Sequence, residues 1–220
     1  MSEIEVRSFV APGFGENAYL VWRPGSGSAV AIDPGAAAET MADTLSAEGL
    51  WLEAVLLTHA HIDHIEGVAP LVRRTGAPVH LHVADAPFYR GVGVQASQFG
   101  MEIEEPPPVD RALEHGQVLE LAGLMFQVRH VPGHSPGHVV LYIEDAGVAF
   151  SGDVVFQGSI GRTDLPGGSY QTLMRSIREK VLTLPPETTL LSGHGPPTTV
   201  AHEARSNPFL IPHMGGGDFA

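Results

Sequence analysis

The chain contains no cysteine. Disulfides, thiolate metal sites and a cysteine nucleophile are thereby excluded, and imidazole and carboxylate remain as the side chains able to hold a metal. Lysine is almost absent too, with Lys180 standing alone. Twelve basic residues against 25 acidic ones give a formal charge of −13, so a face that neutralises phosphates is not expected and nucleic acid is disfavoured as a partner. The acidity is read chiefly as a solubility feature. No stretch approaches the ~20 apolar residues of a membrane span, and Met1 to Arg7 offers neither the basic start nor the apolar run of a secretory signal. A cytoplasmic protein with no membrane partner is the expectation. At 220 residues and 43% hydrophobic, the chain can bury a sizeable core and is most simply one domain.

What is present is histidine in a telling arrangement. Thr58-His59-Ala60-His61-Ile62-Asp63-His64 packs three imidazoles and a carboxylate just after the apolar run Ala54 to Leu57. In an extended chain, residues i and i+2 point the same way, so His59 and His61 can converge on one cation. Asp63 and His64 fall where the chain turns into a helix expected over Ile65 to Thr75, within reach of a second cation. Three further candidates follow short apolar strands. His134 lies in the Gly/Pro turn Val131 to His138, Asp153 ends the run Val148 to Gly152, and His194 ends the run Thr189 to Gly193. Five imidazoles and two carboxylates suffice for two cations, and Asp153 is the natural bridge because a carboxylate has two oxygens.

The series His59-x-His61-x-Asp63-His64, His134, Asp153, His194 resembles the ligand set of the metallo-β-lactamase superfamily. Within it the chain is most similar to small glyoxalase II-like (hydroxyacylglutathione hydrolase-like) hydrolases. That likeness is carried by Asn17 to Val21, Ile32 to Gly35, Pro132 to His138, Ser151 to Asp153, Gly161 to Asp164 and Gly193 to Pro196. The resemblance implies an α/β fold, an αββα sandwich of two mixed sheets flanked by helices, with two similar halves in one domain over residues 1–210 and a tail over 211–220. It also implies two divalent metal ions, zinc first and iron second. His59, His61 and His134 would hold one metal; Asp63, His64 and His194 would hold the other, with Asp153 between them. The expected activity is hydrolysis of a small-molecule thioester or ester by a metal-bridging hydroxide that Asp63 orients. Two rivals share these residues. One is a mononuclear iron persulfide dioxygenase using His59, His134 and Asp153, which resembles the chain at Gly161 to Asp164; the other is a metal-dependent lactonase. Gly193-His194-Gly195-Pro196 looks like the hydrolases rather than the dioxygenases.

Arg162 and Asp164 are the substrate-binding candidates. In larger glyoxalase II enzymes a basic residue and a tyrosine after the bridging aspartate help hold glutathione; here Arg162 keeps the basic position and Asp164 takes the tyrosine's. Arg162 either grips a substrate carboxylate or pairs with Asp164. Twenty-six residues follow His194, too few for the helical domain of the larger enzymes. Asp33 fits two readings as well, a turn former before Pro34-Gly35 or a carboxylate that fixes the metal cluster from behind. His138 is expected to support the ligands rather than join them, while His80, His82, His115, His130, His202 and His213 read as structural or surface groups. Gly91 to Pro108 has little periodicity and reads as a mobile loop over the site. Pro106-Pro107-Pro108 looks like the seam between the halves, and Gly215 to Gly217 like a frayed tail. Nothing in the residues specifies an oligomeric state.

Overall fold

The computed structural model describes residues 3–211; His213 and Gly215 to Gly217 lie outside them. The first sheet comprises β1 (Glu5–Val10), β2 (Asn17–Trp22), β3 (Ser28–Ile32), β4 (Trp51–Leu56), β5 (Val79–Leu81) and β6 (Arg111–Ala112), in that spatial order. Its first two pairings are antiparallel and the rest parallel. Helices α1 (Ala38–Glu48), α2 (Ile62–Ile65) and α3 (Val68–Thr75) provide the crossovers that parallel neighbours require, and α4 (Ala86–Arg90) and α5 (Val92–Gln98) follow β5. The second sheet begins with β7 (Val118–Leu121), β8 (Leu124–His130), β9 (Val139–Ile143) and β10 (Val148–Gly152). A small ribbon, β11 (Val155–Phe156) with β12 (Ser159–Ile160), and helix α6 (Tyr170–Ser176) come next. Strands β13 (Thr189–Ser192) and β14 (Thr198–Thr199) then return to the sheet, and α7 (Val200–Ser206) closes the order. The spatial order is β14-β13-β10-β9-β8-β7, with only β10 and β13 parallel. Two mixed sheets flanked by helices are the architecture expected from the sequence.

Side-chain alternation explains the layering. Along β9, Val139, Leu141 and Ile143 enter the large core shared by the two sheets, while Val140 and Tyr142 enter a smaller core with Leu173, Met174 and Ile177 of the α6 region. A strand buried on both faces reads as a continuous apolar run. Strand β8 buries one face only: Leu124, Phe126 and Val128 point inward while Met125 is exposed. On the first sheet, α1 packs on α3 and both lie against β4.

Strand direction decides where the loops go. Both β8 and β10 run antiparallel to β9, and β13 runs parallel to β10, so β8, β10 and β13 all end at one edge. On the other sheet β3, β4 and β5 run parallel and β2 opposes β3. The ends of β3 to β5 therefore share an edge with the start of β2. The two edges meet where Asn17 N–H donates to Gly193 O and the Tyr19 hydroxyl to Ser192 O. Ligand sites in α/β sheets gather at such carboxyl ends.

Three expectations shift. The helix after the histidine motif starts at Ile62 rather than Ile65 and breaks at Gly67. A Cβ on Gly67 would overlap the Gly35 carbonyl oxygen, so the break accommodates a close backbone approach. Residues Gly91 to Pro108 are not a loop throughout: α5 forms across Val92–Gln98, with Val92 and Ala96 one turn apart and buried. The proline triplet is not the seam either, because the first sheet resumes after it. Asp110 N–H and Leu113 N–H donate to Val79 O and Leu81 O as β6 pairs with β5.

Candidate metal centre

The predicted ligand side chains meet in one cluster, His59, His61, His134, Asp153 and His194 from the loops after strands and Asp63 and His64 from helix α2. His61 Nδ1 lies 2.8 Å from His134 Nε2, which lies 3.2 Å from His59 Nε2. Beside this trio, His194 Nε2 is 3.1 Å and His64 Nε2 3.6 Å from Asp63 Oδ2. Asp153 faces both groups, with Oδ1 3.4 Å from His64 Nε2 and Oδ2 3.6 Å from both His134 Nε2 and His194 Nε2. A bulge presents this carboxylate. The β10–β13 register shifts between Phe150 and Gly152, and Gly152 adopts φ 47°, a conformation in which a Cβ would collide with Thr58 Oγ1.

Hydrogen bonds behind the cluster set the imidazole tautomers. His134 Nδ1–H donates to Arg162 O (2.8 Å) and His64 Nδ1–H to Asp33 Oδ2 (3.0 Å). Thr58 Oγ1–H donates to Asp33 Oδ2 (2.6 Å), leaving its oxygen to accept from His59 Nδ1–H (3.1 Å). The Nε2 atoms of His59, His64 and His134 thus face the cluster, where each would present a lone pair to a cation. Asp33, held at φ 46°, also accepts from Thr58 N–H (2.7 Å). It is no mere turn former, because one buried carboxylate fastens both ends of the histidine motif. His138 lies behind the ligands and its Nε2 accepts from Asp153 N–H (3.0 Å).

The donor set fits cations. Burial, reinforced by neighbouring imidazoles, holds His59 well below the ordinary imidazole range and takes His61 down to about 3, so both are neutral lone-pair donors at pH 7. Burial also opposes charge on His64, Asp63 and Asp153. For His64 the two carboxylates override it and raise the pKa; for the carboxylates His64 does the reverse and lowers theirs. His64 Nε2 and Asp153 Oδ1 are buried without a hydrogen-bond partner, an arrangement that ordinarily calls for an ion or a proton between the groups. Two triads able to hold a metal are His59, His61, His134 and Asp63, His64, His194; a third, Asp33, His59, His64, lies behind them.

Several contributors were not legible in the sequence. Asp85 accepts from Ala60 N–H (3.0 Å), Ser135 Oγ (2.7 Å) and Gly137 N–H (2.5 Å), tying together two ligand loops. Glu16 is fully buried 3.9 Å from His64 Nδ1, with neither oxygen hydrogen-bonded, and burial pushes its pKa up to about 10. Gln95 on α5 accepts from Ile62 N–H and donates to Ala60 O and Phe88 O. His80, His82, His115, His130 and His202 stay outside the cluster; His82 stacks on His130 with ring centroids 4.0 Å apart.

The metals' side of the cleft opens into a cavity of about 770 Å³. Arg162 reaches its wall, whereas Asp164 holds the Arg162 guanidinium through two 2.7 Å contacts. Of the two readings for that arginine, the structure contains the pair.

A family model described as the metallo-beta-lactamase superfamily matches residues 11–194. The chain belongs to that superfamily. It is 39% identical over 204 residues to the hydroxyacylglutathione hydrolase GloC of Haemophilus influenzae, covering 90% of this chain and 93% of that protein. Among solved structures it is similar to TTHA1623 in a di-iron-bound form, with 47% identity, TM-score 0.85, and 93% and 100% of the two chains covered. The BLEG-1 B3 metallo-beta-lactamase follows at 39% identity and TM-score 0.88, with 94% and 100% covered. As a metallo-beta-lactamase superfamily member with His/Asp metal-binding groups, the chain is a metallo-hydrolase in the broad sense. Among its described residues no helix is long and apolar enough to cross a membrane.

Superfamily membership makes one packing detail testable. A Cβ on Gly161 would overlap the Asp153 carbonyl oxygen and lie 3.1 Å from His134 Nδ1. Gly161→Ala should therefore destabilise the protein by about 1–3 kcal/mol through overpacking and weaken its hold on metal. Thermal unfolding and metal titration check this, and wild-type values in both would contradict the close approach.

Proposed function

We propose that the chain is a binuclear metal-dependent hydrolase of thioesters or esters, close in kind to glyoxalase II. The observation that carries this reading is the Asp153 carboxylate, one oxygen of which faces His64 while the other faces His134 and His194. In this reading His59, His61 and His134 hold one cation, Asp63, His64 and His194 the other, and Asp153 joins them. When bound, two divalent cations supply a nucleophile at neutral pH and an electrostatic sink for a developing oxyanion.

The protein's own groups do the rest. Asp63, beside His64 and His194, accepts a hydrogen bond from the attacking water in this reading and aims it at the carbonyl carbon. Phe88 and Phe156 stand edge-on to His61 and His194 and keep bulk water from the reacting centre. No Lys, Tyr, Glu or Cys side chain lines the cleft among the described residues, so protonation of a leaving group has little help from the wall. A thiolate, whose conjugate acid has a pKa of about 8.5, departs without it. This favours a thioester over an amide.

The test is a metal count on protein purified without chelators, beside a panel of thioesters, lactones and persulfides. Two metals per chain and thioester or ester turnover, lost on chelation and restored by zinc or iron, are the expected results. One iron per chain with oxygen consumption on persulfides would overturn the reading in favour of the dioxygenase, and turnover confined to lactones would replace it with a lactonase. Recognition of the thiol half is expected to be permissive, since Arg162 is already paired with Asp164. S-lactoylglutathione and lactoyl thioesters of simpler thiols should give comparable Michaelis constants, each changed less than about threefold by Arg162→Ala. A low value for the glutathione thioester alone, lost in that variant, would mean that glutathione is specifically held.

A further inference from the structure

The wall of the cleft speaks to the acyl half of the substrate. We infer, resting on the hydrolase reading above, that the scissile carbonyl carries an uncharged aliphatic chain of medium length, so that the preferred substrates are medium-chain acyl thioesters or esters. Phe88 and Phe156 flank the metal centre with ring centroids 6.3 Å from His61 and 6.0 Å from His194. Further out, Phe14 and Phe99 form an edge-to-face pair at 5.2 Å. A chain leaving the reacting carbon in either direction therefore meets carbon first. Two of the lining residues, Val94 on α5 and Phe99 at its end, are still 66% and 57% exposed. They are apolar surface that an apolar ligand would cover.

Polar recognition has little purchase here. The Arg162 guanidinium is engaged by Asp164 at two points. Gln95 uses its oxygen and its amide on backbone partners, which leaves Gln98, at the exposed rim, as the other uncharged polar side chain of the lining. A hydroxyl or carboxylate on the acyl group would lose its water with little to replace it. A cleft of about 770 Å³ lies in the range that encloses a whole small ligand, far more than an acetyl or lactoyl group fills.

The test has a kinetic arm and a binding arm, both on the metal-loaded full chain. Thioesters of N-acetylcysteamine, an uncharged thiol, are compared as acetyl, butanoyl, hexanoyl, octanoyl and succinyl derivatives. Specificity, kcat/KM, should rise about twofold to fourfold per methylene, at least about 50-fold from acetyl to octanoyl, with succinyl about tenfold below butanoyl. In the binding arm the octyl thioether of N-acetylcysteamine, which cannot be hydrolysed, should bind with a negative heat-capacity change and the ethyl thioether should not bind measurably. Phe99→Ala, at an exposed position, should lower the octanoyl-to-acetyl ratio by about threefold or more. A flat or falling chain-length series, with no preference for the octyl thioether, overturns the inference and leaves the hydrolase reading standing. If no thioester or ester is turned over, the hydrolase reading falls and the thioethers decide: octyl binding supports an apolar ligand for this cleft, and its absence overturns one.

Discussion

Asp153→Ala is expected to strip metal from both positions and to abolish turnover, while His194→Ala empties mainly the second position and leaves the first partly filled. The asymmetry follows from the geometry. Among the described residues Asp153 is the one carboxylate whose oxygens lie within 3.6 Å of nitrogens from both triads, and its backbone is fixed by His138 and the bulge at Gly152. Two divalent cations held by adjacent triads would repel one another, and the Asp153 carboxylate would offset that repulsion; no other described carboxylate is placed to do so. Asp63 faces the second triad, and Asp33 and Glu16 lie behind His64. Losing several kcal/mol of charge stabilisation corresponds to a fall in kcat of about three orders of magnitude or more. His194 is different because its side chain is 31% exposed and, among the described residues, its carboxylate contacts are Asp63 and Asp153. Elemental analysis of the purified variants, with thermal unfolding to verify that each is folded, decides the matter. Equal loss of both metals in the two variants would contradict the assignment, and full activity with one iron in His194→Ala would favour the dioxygenase.

The histidine motif is legible because its candidate ligands are adjacent in sequence and its spacing has a direct stereochemical meaning. His134, Asp153 and His194 are legible for a related reason: each follows a short apolar strand, and strand ends are where a sheet gathers its loops. The supporting residues left no such mark. Asp85 sits in an ordinary turn after β5, and only the convergence of β5 and β8 brings it to Ser135 and Gly137. Glu16 belongs to the edge because β2 runs against β3, a fact of strand order rather than of local pattern. Helix α5 escaped notice for a physical reason. Gly93 inside the helix lowers its intrinsic propensity, and its docking depends on Gln95, a polar residue that no apolar periodicity can flag. Tertiary contacts with Ala60, Ile62 and Phe88 hold it in place, so a segment that reads as aperiodic becomes an ordered wall of the cleft. The short strand β6 pairs through two exposed residues, which carry no alternation to detect.

Asp85→Ala should be among the most destabilising single substitutions in the chain, although Asp85 touches no metal. Its carboxylate is completely buried and accepts hydrogen bonds from Ala60 N–H, Ser135 Oγ and Gly137 N–H. Ala60 lies between two predicted ligands of one sheet edge, and Ser135 follows a third on the other, so this one side chain sets the spacing of the loops that bring His59, His61 and His134 together. Gly137 approaches so closely that a Cβ there would lie 2.6 Å from Asp85 N and 2.8 Å from Asp85 Oδ1, so the glycine is what lets this backbone reach the acceptor. Removing the acceptor strands three buried donors, each costing about 1–3 kcal/mol, a sum of roughly 3–6 kcal/mol once the loops relax, against a total stability of about 5–15 kcal/mol for a typical domain. Asp85→Asn should rescue only in part, since its amide turns N–H groups toward donors that need an acceptor. The measurements are the midpoint of chemical unfolding for both variants and metal affinity at a temperature where both remain folded. Affinity at the His59, His61, His134 triad should fall by about 10–100-fold, more than at the Asp63, His64, His194 triad. Unfolding midpoints within experimental error of wild type would show that the two loops are held together by something other than Asp85.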